Sequence, residues 1–174
     1  MSKLHFITPV IPVPPTRTVR LGTNAKQFAA VDEGKLVKLS AESAYALCVA
    51  GDAIEACIVS VEGAGSGGFS IGGIFDGGSL FATADGLQAT PGTGVIAIGD
   101  YVVAGTITAL GTKLAAFPKV CKATAQPGTT PADLAAAGAA LRNAMFAWRV
   151  ESLGTVGTGA VGTAIVITRV PNAR

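Results

Sequence analysis

The stretch "ACIVSVEGAGSGGFSIGGI", residues Ala56 to Ile74, decides the fold class of this chain. It starts with an apolar run rich in β-branched residues, passes through the glycine-rich segment Gly63 to Gly68, and returns to an alternating apolar run. Because glycine permits the positive φ that tight turns need, this order predicts two strands joined as a β-hairpin.

The segment "GAGSGG" also fits the G-x-G-x-x-G pattern of dinucleotide sites, as does "GTGAVG" at Gly157 to Gly162. That pattern binds a pyrophosphate only where the glycines join a strand to the N-terminus of a helix. After Gly68 and after Gly162 the sequence is strand-like, with no helix pattern. We interpret both segments as hairpin tips, and we expect no nucleotide and no other cofactor.

A faint internal repeat connects these two segments. Ala56 to Ile74 resembles Ala147 to Ile167, since each is an apolar strand, a glycine-rich turn and a second strand. In addition, "GDAI" at Gly51 and "GDYV" at Gly99 both precede an apolar run. The repeat suggests two related hairpins that close one barrel or sandwich.

Further short runs rich in Val, Ile and Thr, separated by Asp-Gly and Gly-Asp pairs, extend from about residue 18 to the end. Short strands at regular spacing are typical of barrels and sandwiches. We predict a mainly β fold, a barrel or a jelly-roll-like sandwich.

One segment, "TTPADLAAAGAALRNAMFAW" from Thr129, departs from the β pattern. Thr130 can cap a helix, Pro131 suits its first turn, and Asp133 completes a capping box. A stripe of residues then recurs at three- and four-residue steps, with Gly138 filling the gap between the first two apolar members: Leu134, Leu141, Met145 and Trp148. We predict one inserted α-helix at 131–147, within an insertion spanning 129–147, with this stripe facing the core.

Residues 1–17 differ from the β domain predicted for residues 18–174, because prolines fix φ and remove backbone donors there. We predict an extended arm that contacts a neighbouring subunit; the alternative is that it folds back on its own barrel as an edge strand. The candidate contact residues are Pro9, Ile11, Pro12, Val13, Pro14, Pro15, Arg17 and Arg20.

The low content of charged residues narrows the classes of function that this chain can have. Only 14% of the 174 residues are charged, against roughly 25% in typical soluble domains, and the net charge is +2. So little charge favours a surface covered by partners, and it argues against direct nucleic-acid binding.

The longest uncharged run, Ser152 to Thr168, is too rich in Gly and Thr to span a membrane. The first 15 residues lack the continuous apolar core of a signal peptide.

The catalytic possibilities are few. The three cysteines, Cys48, Cys57 and Cys121, have neither disulfide-framework nor metal-site spacing. The single histidine, His5, lies in the arm, and most aspartates adjoin glycines, where Asp forms turns. We therefore predict no metal site, no catalytic residue and no enzyme activity.

The pattern "VDEGKLVKLSAESAYALCVAGDAIEACIVSVEGAGSGG" resembles small decoration, or cement, proteins of tailed-bacteriophage capsids, and "RVESLGTVGTGAVGTAIVITRV" resembles their last hairpin. The resemblance covers about Asp32 to Gly73 and Trp148 to Val170. It implies a non-enzymatic head-stabilising protein on the outer face of the virion capsid, made in the host cytoplasm. It also implies contacts with the major capsid protein and a homo-oligomer, with a trimer favoured.

Two alternatives remain open. Another virion structural component (a tail, head-fibre or head–tail joining protein) would share this composition, although fibre repeats and heptads are not visible. A carbohydrate-binding sandwich is the weaker alternative, because sugar sites need exposed aromatic residues and the chain has one Trp.

Overall fold

The computed structural model describes residues 16–25, 27–40, 43–63, 68–124 and 148–170, together with the single residue Ala135. These residues form eleven strands and one 3-10 turn, Ala30–Asp32. In chain order the strands are β1 (Thr16–Ala25), β2 (Leu36–Leu39), β3 (Tyr45–Leu47), β4 (Ala56–Glu62), β5 (Phe69–Phe75), β6 (Ser79–Leu87), β7 (Thr90–Pro91), β8 (Val102–Ala104), β9 (Lys119–Lys122), β10 (Trp148–Ser152) and β11 (Ala164–Arg169). The prediction of a mainly β fold is confirmed.

The first five strands close a barrel in the order β1-β3-β2-β4-β5. Its one parallel pairing joins β1 to β3, at Leu21 and Tyr45, and the other pairings are antiparallel. The remaining six strands form a second sheet in the order β10-β11-β6-β9-β8, with the short strand β7 paired to β6. A closed barrel beside a second sheet fits the predicted barrel or sandwich.

The two halves of the fold repeat one strand order. In the second sheet β6 pairs in parallel with β9, as β1 does with β3. An isolated bridge between Tyr101 and Arg149 joins the outer strands β8 and β10, where the first barrel has the pairing of β2 with β4. The second half thus repeats the strand order of the first. In this order β6 corresponds to β1, β8 to β2, β9 to β3, β10 to β4 and β11 to β5.

The backbone hydrogen bonds show which residues are equivalent. The Gly34 N–H donates to the Ile58 carbonyl at 2.8 Å, and the Gly99 N–H donates to the Val150 carbonyl at 2.9 Å. Both glycines have positive φ, +88° and +90°. One residue further on, the Lys35 carbonyl accepts from the Ile58 N–H, and the Asp100 carbonyl accepts from the Val150 N–H, both at 2.9 Å. Gly99 therefore corresponds to Gly34.

This correspondence corrects one part of the predicted repeat. The pair Gly51-Asp52 lies between β3 and β4, whereas Gly99-Asp100 precedes β8, so the two Gly-Asp pairs are not equivalent. The predicted pairing of the two hairpins is right. The hairpin β4–β5 corresponds to β10–β11, and each has a register shift at the same place, after Ile58 and after Val150. Both glycine-rich segments connect antiparallel strands, as expected of hairpin tips.

Alternation along the first-half strands divides the core in two. Val37, Ile58 and Ile74 point into the first barrel, where they pack with Leu21 and Tyr45. Their sequence neighbours point the other way, into the cluster that fills the second sheet: Leu36, Cys57 and Phe75. These strands are buried on both faces, which is why they appear as nearly continuous apolar runs.

The predicted helix at 131–147 lies outside the described residues apart from Ala135, which is helical, so the single helix is not seen. Trp148, which the helical stripe included, instead begins β10 and is fully buried. In β10 Trp148 and Val150 are buried while Arg149 is exposed. This two-residue period, rather than the helical one, sets the direction of the Trp148 side chain.

Candidate functional site

The predicted contact arm is described only at its last residues. Residues 1–15 lie outside the described part, so the six candidates from Pro9 to Pro15 have no described position. Thr16 begins β1, which places Arg17 and Arg20 in the first strand of the barrel. Because they are three residues apart in a strand, they lie on opposite faces.

Both arginines make contacts within their own barrel. Arg17 is paired with Asp76 at 2.6 Å and donates a hydrogen bond to the Tyr45 hydroxyl at 2.9 Å. The Arg20 guanidinium lies 3.6 Å from the centre of the Phe69 ring and donates to the Thr23 carbonyl at 3.0 Å. Arg17 keeps more than half of its side chain exposed and is the better placed of the two to contact a neighbour.

The described cysteines are buried thiols. Burial raises the pKa of Cys57 to about 12 and is the main cause that raises the pKa of Cys121 to about 11. The pKa of Cys48 is raised further still, again chiefly by burial. Since the thiolate is the nucleophile and the metal ligand, these side chains are poor candidates for either role.

Across the described residues, no group of three or more His, Cys, Asp or Glu side chains could hold a metal ion. In the same part of the chain, no helix is long and apolar enough to cross a membrane. A cleft lined by Lys35, Ile107 and Leu114 lies beside the first barrel and has room for about one water molecule, too little for a small-molecule ligand.

The segment 105–118 ties the two halves together, and it is the counterpart of a short connection in the first half. The N–H of Ser40 donates to the Ala44 carbonyl, and the N–H of Gly105 donates to the Lys119 carbonyl at the equivalent place. The connection in the second half is therefore a longer loop than its counterpart between Ser40 and Ala44 in the first half. It starts on the second sheet and reaches the first barrel.

A buried ion pair holds the far part of this loop. The Lys35 ammonium lies 2.5 Å from an Asp32 carboxylate oxygen, and both side chains are at most 2% exposed. The ammonium also donates to the Ala109 carbonyl at 2.6 Å, and the Gly111 N–H donates to Asp32 at 2.8 Å. The N–H of Ala29 donates a third hydrogen bond to the Asp32 carboxylate, at 2.9 Å.

A second buried carboxylate, Asp85, holds the start of the loop. It accepts from the Thr106 N–H at 2.7 Å and lies 3.5 Å from the Lys119 ammonium. Burial alone would raise the pKa of Asp85, but the Thr106 hydrogen bonds and the Lys119 charge outweigh it, and the pKa is lowered. Both carboxylates thus have structural partners that account for their burial.

The most distinctive surface consists of two loops, residues 87–99 and 153–163, which we call the loop face. Neither loop contains a charged residue. Five of the seven large hydrophobic residues that are exposed in the described part of the chain lie here, with 36–64% exposure: Leu87, Val95, Ile98, Val156 and Val161. Exposed apolar groups gathered in one region indicate an interaction site rather than ordinary surface.

Backbone contacts fix the two loops to each other. Val95 and Ala160 form an antiparallel bridge, and the Ile96 N–H donates to the Gly159 carbonyl at 2.9 Å. A Cβ added at Gly159 would lie 1.7 Å from the Ile96 carbonyl oxygen, so only glycine permits this approach. The Gly162 N–H ties the second loop to the Ala84 carbonyl at 2.8 Å.

Sequence reasoning did not identify the loop face, although part of its signal was visible. The uncharged run Ser152 to Thr168 was considered only as a membrane span. A second uncharged run, Gly86 to Gly99, lies more than fifty residues earlier. The fold brings the two runs together.

No protein-family model, curated protein or solved structure matches this chain.

Proposed function

We propose that this chain is a non-enzymatic structural protein that decorates the outer face of a tailed-bacteriophage capsid. In this role it stabilises the shell by bridging subunits of the major capsid protein, as a homo-oligomer for which we favour a trimer. The host cytoplasm is the proposed site of its synthesis.

The observation that carries the proposal is the loop face. A protein that functions alone in solution gains nothing from a rigid, uncharged, aliphatic surface, and such a surface promotes association. A protein that functions within a stable assembly, bound to copies of itself or to capsid subunits, gains affinity from it, because β-branched side chains and fixed loops lose little entropy on binding.

The contacts that segment 105–118 makes with both halves of the fold support the same role. A decoration protein stabilises a shell by mass action, since it binds the assembled state in preference to the separated one. That effect requires the bound protein to hold its shape. Asp85 holds the start of the loop on the second sheet and Asp32 holds its far part on the first barrel, so the loop connects the two halves.

The direct test is the copy number of this chain in purified particles of the phage that encodes it, measured by quantitative mass spectrometry. A decoration protein is expected in numbers comparable to the major capsid protein. A few copies per particle would favour the tail, head-fibre or head–tail joining alternative. Absence from particles would refute a virion role.

A second test concerns the arm. Shells lacking the protein are mixed with the full chain or with a variant lacking residues 1–15, and bound protein is measured by co-sedimentation. We expect the deletion to weaken shell binding strongly while the thermal unfolding of the remaining domain stays unchanged. Equal binding by both forms would remove the arm from the proposed contact.

A further inference from the structure

We propose that a second copy of this chain occupies the loop face, so that residues 87–99 and 153–163 form the self-association interface of the protein. The inference rests on the homo-oligomer part of the proposed function and assigns a surface to it. It concerns the free protein, so it can be tested without any shell.

The first argument is charge. At a two-fold axis a surface meets a copy of itself, and close to a three-fold axis each residue meets its own copies, so in both cases a charge near the axis faces the same charge. Like charges brought together in an interface cost several kcal/mol. A surface free of Asp, Glu, Lys and Arg over both loops avoids this cost. Anionic or cationic partners would instead be met by opposite charges, which the loop face does not offer.

The second argument is size. The two loops together contain 24 residues, counting 13 in residues 87–99 and 11 in residues 153–163. Most of them are exposed, and the two fully buried ones, Ile96 and Gly159, make the bond that joins the loops. A standard protein interface uses about 20–30 residues on each side. The loop face therefore has the size that one stable contact requires.

The third argument is preorganisation. The bridge between Val95 and Ala160 and the hydrogen bond from Gly162 to Ala84 hold the loops before any partner arrives. Val95, Ile98 and Val156 are β-branched and have few rotamers to lose. Their 61–64% exposure leaves most of each side chain free to be covered.

The chain offers a matched control. Val49, which follows β3 in the first half, is 61% exposed, the same fraction as Val95. Val49→Lys and Val95→Lys therefore make the same chemical change at equal exposure, the first outside the two loops and the second within them. Val156→Lys repeats the test on the second loop, at 62% exposure.

The experiment is sedimentation velocity and equilibrium on the full chain over a wide concentration range, at low and at high salt. We expect wild type and Val49→Lys to associate equally. For Val95→Lys and Val156→Lys we expect self-affinity at least about 100-fold weaker, since each places a charge opposite its own copy. Wild-type association should not weaken in high salt, because neither loop carries a charge to screen.

A wild type that stays monomeric at every concentration would overturn the inference, as would Val95→Lys that associates as Val49→Lys does. If Val95→Lys keeps its oligomeric state but no longer binds shells, the loop face docks on the shell; the inference then fails and the proposed function stands. Thermal melts check the fold. Should a lysine variant unfold early, Val95→Thr, which keeps the side-chain shape, replaces it and is expected to weaken association without affecting the melt.

Discussion

The buried pair of Lys35 and Asp32 provides the sharpest test of how the two halves are held together. Lys35→Met removes the ammonium and leaves a carboxylate that still accepts from the N–H groups of Ala29 and Gly111. Removing one partner of a buried pair costs about 3–5 kcal/mol. Because two N–H groups still donate to Asp32, we expect Lys35→Met to lower the free energy of unfolding by about 3 kcal/mol, near the low end of this range.

Asp32→Ala is expected to cost more, about 5 kcal/mol, since it leaves a buried ammonium with the Ala109 carbonyl alone and deprives two backbone N–H groups of their acceptor. The double variant should cost no more than Asp32→Ala, because removing Lys35 also removes the unpaired charge. The measurement is urea unfolding at neutral pH, followed by two spectroscopic probes and extrapolated linearly.

Lys38→Met is the control. Lys38 and Asp52 are 2.7 Å apart, but the Lys38 side chain is 38% exposed, and pairs of this kind contribute at most about 1 kcal/mol. If Lys35→Met destabilises the protein no more than Lys38→Met does, the 105–118 loop is not held by the buried pair, and the reasoning about these contacts is wrong.

Acid titration, thiol labelling and two glycine substitutions test other parts of the structure. Because the pKa of Asp85 is lowered in the folded state, its contribution to stability is present above the unfolded value, about 3.9, and is lost as pH falls through the folded value. Asp85→Asn should therefore be less stable at neutral pH and show a flatter loss of stability in acid unfolding titrations; an unchanged profile would contradict this. The three buried thiols should be inert to a thiol reagent at pH 8 in the native protein and should all react in denaturant, and fast native labelling would contradict their raised pKa values. Gly99→Ala should cost about 1–2 kcal/mol in urea unfolding from positive φ alone, since a Cβ there meets nothing within 4 Å. Gly34→Ala should cost more, because its Cβ would meet a Leu114 methyl group at 3.0 Å; the reverse order would contradict the close packing of Leu114 on Gly34.

The local features of this fold were predictable from the sequence. Strand alternation, glycine-rich connections and Asp turns are short-range signals, and they identified the hairpins β4–β5 and β10–β11. They also argued against a nucleotide site, because Gly68 and Gly162 lead into strands rather than helices. The same short-range reasoning placed Trp148 both on a helical stripe and in a strand, because the two periods overlap there; Trp148 is buried as the first residue of strand β10.

The equivalence of the two halves was only partly visible, because it is carried by hydrogen bonds more than by residue identity. Gly34 and Gly99 correspond through their donors and their positive φ, yet the matching letters "GD" suggested a different alignment. Backbone pairing tolerates most side-chain changes, so a strand order can persist where the sequence similarity has nearly vanished.

By itself, then, the sequence determined that the chain is mainly β, where several of its strands and turns lie, and that charged residues and histidine are scarce. The tertiary structure alone decided that the chain repeats one strand order, that Asp32 and Lys35 lie buried against the 105–118 loop, and that two distant uncharged runs form one loop face. The physical reason is range. Turn and strand preferences act over a few residues, whereas a surface is built by contacts such as that of Val95 with Ala160, whose formation depends on every strand between them.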